Sequence, residues 1–393
     1  MTKDIWILSA TRTAIGSFGG ALKDVTPTQL GATVLREAVK RSGVDPAAVG
    51  HVVFGNVIPT EPRDAYLSRV AALDGGLSQD VPAFNVNRLC GSGLQAVVSA
   101  AQAIALGDAD VAVAGGAEVM SRGPYLVPSA RWGARMGDMA MVDYMTAILH
   151  DPFGQFHMGI TAENVAAQHG VTRQMQDELA LESQRRAVAA IDAGRFKDQI
   201  VPVEVVGRKG TVVFDTDEHP RRDASAQALA GMRPVFKKDG TVTAGNASGI
   251  NDGAAALVLA NADRARALGL APMARLVACA HAGVDPALMG LGPIPASRKA
   301  LERAGLTIRD MDVIESNEAF AAQACEVARQ LDFDAAKVNP NGSGISLGHP
   351  VGATGAIIAT KALHELQRVQ GRYALVTMCI GGGQGIAAVF ERA

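Results

Sequence analysis

The chain predicts an α/β fold built from two copies of one strand-and-helix unit, with parallel sheets covered by helices on both faces. Three observations carry this. Short apolar runs of strand length alternate with helical runs up to about residue 119, and again from about residue 293 onward; that alternation is the pattern of βαβ units. Two landmarks recur: Cys90 and His349 each stand at a helix start, and Gly115-Gly116 and Gly381-Gly382 each follow a strand. A repeated unit brings such corresponding ends together, with a site between them. Residues about 120 to 248 break the pattern, with more charge and more polar turns.

The elements follow in order. Ile5-Trp6-Ile7-Leu8 reads as a short buried strand. Thr26-Pro27-Thr28-Gln29 opens a helix, with Thr26 as N-cap, Pro27 at the first helical position and Gln29 completing a capping box. Leu30, Val34, Leu35, Ala38 and Val39 form its apolar face, and Gly43 ends it. His51–Gly55 is a strand, as is Ala83-Phe84-Asn85-Val86, which leads through a tight turn into the helical run after Cys90. Asp110–Gly116 is another buried strand. In the middle region one long helix is expected from Thr172 to Ala193. Asn251–Leu259 returns the chain to the first unit, and Leu270-Ala271-Pro272 reads as a linker. In the second copy, a helix runs from Pro293 to Ala304 and ends at Gly305, Val313-Ile314-Glu315 is a strand, a glycine-rich turn leads into Ala356–Leu363, and Tyr373–Met378 is the following strand. The expected domains are 1–119 with 249–271, an insertion at 120–248, and 272–393.

Composition narrows the function. The 393 residues are 48% hydrophobic, enough for a sizeable core. A formal net charge of −2 and only 4% aromatic residues argue against nucleic-acid binding. The four cysteines, Cys90, Cys279, Cys325 and Cys379, form no CxxC pair, and no HExxH spacing occurs, so neither a zinc site nor a disulfide framework is expected. Met1–Leu8 holds too short an apolar run for a signal peptide, and no segment has the roughly 20 apolar residues of a membrane span. A reducing cytoplasm is the expected location.

Cys90 lies in Asn87-Arg88-Leu89-Cys90-Gly91-Ser92-Gly93, at the start of a helical run. First-turn N–H groups lack intrahelical partners and carry partial positive charge. A thiol there is expected to ionise more readily and act as a nucleophile; the competing reading is a buried structural cysteine. Three C-terminal segments decide between them: Glu315-Ser316-Asn317-Glu318-Ala319-Phe320, Asn339–Pro350 containing Gly348-His349-Pro350, and Cys379-Ile380-Gly381-Gly382-Gly383. They add a second thiol, an imidazole in a glycine-rich loop, and a side-chain amide. The glycine run lacks GxGxxG spacing, which excludes a dinucleotide fingerprint.

In this order, from Arg12-Thr13-Ala14-Ile15-Gly16 to the last strand, the four segments resemble the thiolase family, and most closely its bacterial biosynthetic-type β-ketothiolases. The resemblance implies a layered αβαβα fold with an inserted loop domain covering coenzyme A. It implies a reversible, ping-pong Claisen condensation of acetyl-CoA with acetyl-CoA or another short acyl-CoA, and thiolysis of β-ketoacyl-CoA. Cys90 would carry the acyl group, and His349 would take its proton. Cys379 would be the acid/base at the α-carbon. The N–H groups of Cys90 and Gly381 would form one oxyanion hole, and Asn317 would hold a water in another. His157, Met158, Leu149, Arg221, Phe236, Ala244, Ser248, Met289, Ala319 and Phe320 would bind CoA and the acyl chain. No cofactor is implied, since coenzyme A is a substrate. Arg131–Met136 resembles the loop that joins dimers into tetramers. One departure is Gly342-Ser343-Gly344-Ile345-Ser346-Leu347, where many family members have a second glycine and alanines.

Several residues have a plainer reading. Asn317 can serve as the N-cap of the helix rich in Ala321, Ala322 and Ala324; Met158 and Met289 can be core filling; Cys279 and Cys325 read as core. A decarboxylating ketoacyl-synthase-type enzyme would carry histidine where Asn317 stands and would lack the second cysteine. A non-catalytic acyl-CoA carrier is the other alternative, and four intact polar groups argue against it.

Overall fold

A computed structural model describes residues 4–207 and 210–393; Met1-Thr2-Lys3 of the N-terminal run lie outside the described residues. The strands are β1 (Ile5–Thr13), β2 (His51–Gly55), β3 (Ala83–Val86), β4 (Val111–Val119), β5 (Asn251–Asn261), β6 (Ala274–Gly283), β7 (Val313–Ser316), β8 (Tyr373–Ile380) and β9 (Gln384–Arg392). The main helices are α1 (Pro27–Ser42), α2 (Leu67–Asp74), α3 (Ser92–Leu106), α4 (Met158–His169), α5 (Arg173–Asp192), α6 (Pro293–Ala304), α7 (Ala321–Gln330) and α8 (Val351–Arg368).

Local signals held where they were strongest. Thr26 caps α1 with Gln29 in a full capping box, and Gly43 ends it at φ 71°. Gly305 ends α6 at φ 67°. Thr172 and Ala193 flank α5.

The expectation of parallel sheets is corrected. These nine strands form the main mixed sheet, in the order β7-β8-β9-β6-β1-β5-β4-β2-β3, and two small two-stranded sheets lie apart from it. Only β2 with β3, β2 with β4, and β7 with β8 pair in parallel along this path. The long strands β1, β5, β6 and β9 pair antiparallel. The last strand of each copy follows a hairpin or a long insertion, not a crossover helix, so it can run back beside its neighbour.

The repeat is visible in the pairing. Parallel β2–β4, then antiparallel β4–β5 and β5–β1, is matched by parallel β7–β8, then antiparallel β8–β9 and β9–β6. Within the sheet, the halves join where Trp6 and Ile7 of β1 meet Arg275 and Ala274 of β6. Helices α1 and α2 cover the outer face of the first half, α6 covers the second, and α3 and α8 pack together between the halves. Five layers result, α-β-α-β-α.

Glycines let the central layer close. A Cβ on Gly93 would stand 2.6 Å from Ala356 N, and one on Gly355 would stand 2.2 Å from Leu94 N, so α3 and α8 cross at backbone contact. Gly115 and Gly116 lie inside β4, not after it. They are there for packing: a Cβ on Gly116 would sit 2.3 Å from Gly352 O, and one on Gly115 would strike the Phe54 ring. This contact holds the N-terminal ends of α3 and α8 together, and with them Cys90 and His349.

The apolar window Leu89–Leu106 is, among the described residues, the one helix long and apolar enough to cross a membrane. It is buried here between the sheet and α8.

Candidate active site

Cys90 sits two residues before α3, not in its first turn, since the helix begins at Ser92 with Gly91 before it. The turn is tight. Leu89 takes φ +46°, a left-handed conformation that costs about 1–2 kcal/mol for a residue with a side chain. Ser92 Oγ closes the turn by accepting from Arg88 N–H (2.8 Å) and donating to Leu89 O (2.6 Å).

The expected lowering of the thiol pKa is overturned. Burial pushes Cys90 up to about 11, against the opposing N–H groups of Gly381 and of Cys90 itself. Desolvation of a thiolate by a packed apolar wall outweighs two N–H donors here. Cys379 is wholly buried, and burial together with the neighbouring Cys90 raises its thiol far above the ordinary value.

His349 is 5% exposed, and burial pushes it down to about 4. It is neutral at pH 7. Its backbone N–H donates to Asn251 Oδ1 (2.9 Å), and its Nδ1 lies 2.7 Å from Thr354 Oγ1. Thr354 donates its one hydroxyl proton to Pro350 O (2.9 Å), so its oxygen accepts from Nδ1–H. The lone pair is then on Nε2, which has no protein partner among the described residues. In this tautomer Nε2 is free to accept a proton, though burial keeps its basicity low in the free protein.

Asn317 does not cap α7; Phe320 occupies the N-cap position. The amide is fully buried, and neither Oδ1 nor Nδ2 has a protein partner among the described residues.

A cavity of about 510 Å³ leads to Cys90, His349 and Gly381. Its wall includes Leu149, His157, Met158, Arg221, Phe236, Ala244, Ser248, Met289, Ala319 and Phe320, so the whole expected CoA and acyl set is brought together. Cys379 and Asn317 stand behind that wall. Met158 and Met289 line the cavity and also pack in one cluster with Ala319, Phe320 and Cys379. His157 caps α4, accepting at Nδ1 from Gly159 N–H (3.0 Å), and stacks on Phe236 at 4.5 Å. Burial, reinforced by His150, pushes it down to about 4, so it is a neutral wall. Cys279 and Cys325 are partly buried and pack against the hydrophobic core clusters, in keeping with their reading as core.

Several important residues carried no sequence signal. Glu118, at the end of β4, accepts from the N–H groups of Val57 (2.9 Å), Ile58 (3.0 Å) and Gly352 (2.8 Å) and from Asn56 Nδ2 (2.9 Å). Burial still pushes it up to about 8. It ties the first turn of α8, just after His349, to the end of β2. Asn251 and Thr354 were likewise missed. Thr354 stands one helical turn beyond His349, a spacing that could have been read; Asn251 is 98 residues away.

A pH dependence follows. With the thiol pushed up and His349 neutral, Cys90 is protonated at pH 7. Iodoacetamide alkylation of Cys90, followed by peptide mass, should keep accelerating above pH 9. A plateau below pH 8 would mean that His349 already holds the proton in the free protein.

This geometry places a cysteine, an imidazole and a glycine turn at one largely apolar cleft of an α/β protein. The description "Thiolase, N-terminal domain" matches residues 5–263, and "Thiolase, C-terminal domain" matches residues 270–392. The chain belongs to the thiolase family. It is 67% identical to the β-ketothiolase BktB of Cupriavidus necator over 393 residues, covering 100% of both chains. It is 53% identical to the acetyl-CoA acetyltransferase of Escherichia coli, covering 99% of each. Among solved structures, the Bacillus anthracis acetyl-CoA acetyltransferase superposes with a TM-score of 0.98 at 48% identity, covering 100% of this chain and 99% of that one. Human mitochondrial 3-ketoacyl-CoA thiolase in complex with CoA superposes at 0.97 and 43% identity, covering 100% and 98%.

Proposed function

We propose that this thiolase joins acetyl-CoA to acetyl-CoA or another short acyl-CoA, and cleaves short β-ketoacyl-CoA, through an acyl group on Cys90. The observation that carries the reading is the meeting of the Cys90 thiol, an unpaired imidazole nitrogen and Gly381 at the end of one cleft, with the Cys379 thiol beside Cys90 just behind the wall.

The steps balance on these groups. Cys90 Sγ attacks the thioester carbonyl while its proton passes to His349 Nε2. The N–H groups of Cys90 and Gly381 support the oxyanion. The departing CoA sulfur takes the proton of Cys379. This leaves a Cys379 thiolate facing a protonated His349, and the new thioester is close in energy to the old one. The buried Cys379 thiolate is a strong base and takes a proton from the methyl group of a second acetyl-CoA. The carbanion attacks the acyl carbonyl, and the Cys90 thiolate leaves and recovers its proton from His349. Asn317, through a water, and His349 support the enolate oxygen. Asn317 and Cys379 favour proton abstraction over decarboxylation as the source of the carbanion.

The same reading makes 1–119 with 249–271 and 272–393 the two core units, with 120–248 as the cover over coenzyme A. In that cover Trp132 is 89% exposed and Met136 94%, which supports a homotetramer built from two dimers through this loop. Four cysteines without disulfide partners suit a reducing cytoplasm.

The test is thiolysis. Acetoacetyl-CoA and ketovaleryl-CoA, with free CoA, should be cleaved with higher kcat/KM than β-ketoacyl chains of about twelve carbons, because the bulky side chains of Met158, Met289 and Phe320 narrow the cavity they line. Consumption of a malonyl thioester in preference to acetyl-CoA as the carbanion source would sink the reading.

A further inference from the structure

Asn317 has a buried amide with no protein partner, so the backbone on either side must hold it in place. Before it, Ser316 N–H donates to Asn339 Oδ1 (2.9 Å), and Asn339 Nδ2 donates to Ser316 O (2.8 Å). After it, the Glu318 carboxylate accepts from Asn339 Nδ2 (2.9 Å) and from Ser183 Oγ (2.6 Å). Ser183 lies on α5, in the 120–248 segment, and its Oγ is 2.8 Å from Ser346 Oγ. Ser346 belongs to the short turn Gly344–Leu347, which leads into Gly348 and His349. Ser343 N–H donates to Ser346 Oγ (3.2 Å).

The direction of this chain is settled by proton counting. Each hydroxyl has one proton. Ser183 gives its proton to Glu318 (2.6 Å), so Ser346 gives its own to Ser183 at 2.8 Å in preference to Ser343 O at 3.3 Å. The bonds then run one way, from the Ser343 N–H through two hydroxyls to a carboxylate, and each strengthens the next. The turn is also seated directly on the amide: a Cβ on Gly344 would stand 2.8 Å from Asn317 Oδ1 and 2.7 Å from Glu318 O.

We propose that Ser346, Ser183 and Glu318 form a positioning relay that sets the separation between the Asn317 amide and the turn before His349, and that it governs the carbon–carbon bond step but not acylation of Cys90. This rests on the role given above to Asn317. No relay residue lines the cleft. The groups assigned to acylation are held elsewhere. Gly381 follows β8, Cys90 is fixed by the Ser92 turn, and His349 keeps its own bonds to Asn251 and Thr354. The relay therefore reaches the bond-forming step through Asn317, and it links that residue to α5.

The experiment compares Ser346→Ala, Glu318→Gln and Asn317→Ala in the full chain by two readouts. One is the rate of radiolabel trapping on the protein from acetyl-CoA. The other is exchange of acetyl-CoA methyl protons into deuterated buffer. Loss of one buried hydrogen bond is worth about 1 kcal/mol, roughly fivefold in rate. Ser346→Ala should slow exchange about 3- to 10-fold with trapping within about twofold of the parent. Glu318→Gln should slow exchange further, because its amide nitrogen would face Ser183 or Asn339, and both are donors. An equal fall in both readouts, or no fall in either, overturns the relay. If Asn317→Ala slows exchange while Ser346→Ala does not, the relay alone is wrong. If Asn317→Ala exchanges at the parent rate, the role of Asn317 is wrong and the relay falls with it. Ser346→Ala removes one buried oxygen and decides the matter alone should Glu318→Gln not fold.

Discussion

Cys90→Ala should leave no labelled acyl group on the protein after incubation with acetyl-CoA, and thiolysis should fall by on the order of 10⁴–10⁶. No other thiol can take over. Cys379 is fully buried behind the cleft wall, with its pKa raised by burial and by Cys90 itself. Cys279 and Cys325 are absent from that wall. The variant should keep the parent melting temperature within a few degrees, because alanine fits the turn that Ser92 and Leu89 already define. Trapping at the parent level in Cys90→Ala would remove this residue as the acyl carrier.

Cys379→Ala should separate the two halves of the reaction. Cys90, His349 and the Gly381 N–H remain in place, so trapping should persist, though slowed if Cys379 protonates the departing CoA. Methyl-proton exchange and condensation should drop by about 10²–10⁴, the usual loss on removing a positioned acid/base. Cys379→Ser is the sharper variant. It keeps the shape and the hydrogen-bonding capacity, but a hydroxyl is far too weakly acidic to supply a base at this site. Exchange should stay as low as in Cys379→Ala. Recovery in Cys379→Ser would mean that the thiol acts by hydrogen bonding, and another residue would have to be the base.

The two variants bear on residues that stood out in the chain itself. Cys90, His349 and Cys379 each sit in a short segment with glycines close by, and Asn317 sits in Glu315-Ser316-Asn317-Glu318-Ala319-Phe320; such segments are legible because their chemistry is local. The same holds for the capping box at Thr26 and Gln29, and for the left-handed glycines that end α1 and α6. Helix α5 was legible within one residue at each end for the same reason. Propensity and capping act over three or four residues and need no distant partner.

Distant partners decided the rest. Periodicity showed that β1 and β5 are buried strands, but their antiparallel register, with Ile5 opposite Asn261, depends on segments some 250 residues apart. Alternation with helices suggested parallel sheets; the mixed sheet arises because β5 returns after a long insertion and β9 by a tight turn. Gly115 and Gly116 resemble a turn in isolation and prove to be the floor on which α8 rests. The Cys90 thiol shows the difference most clearly. Its neighbours in sequence predicted easier ionisation, whereas its neighbours in space push it up to about 11. The chain by itself singled out the groups proposed for the chemistry and where several helices start and stop. Only the tertiary structure decided their protonation, their tautomer and their spacing, because desolvation and hydrogen bonding to Asn251, Thr354, Glu118 and Ser183 exist only once remote segments have packed together.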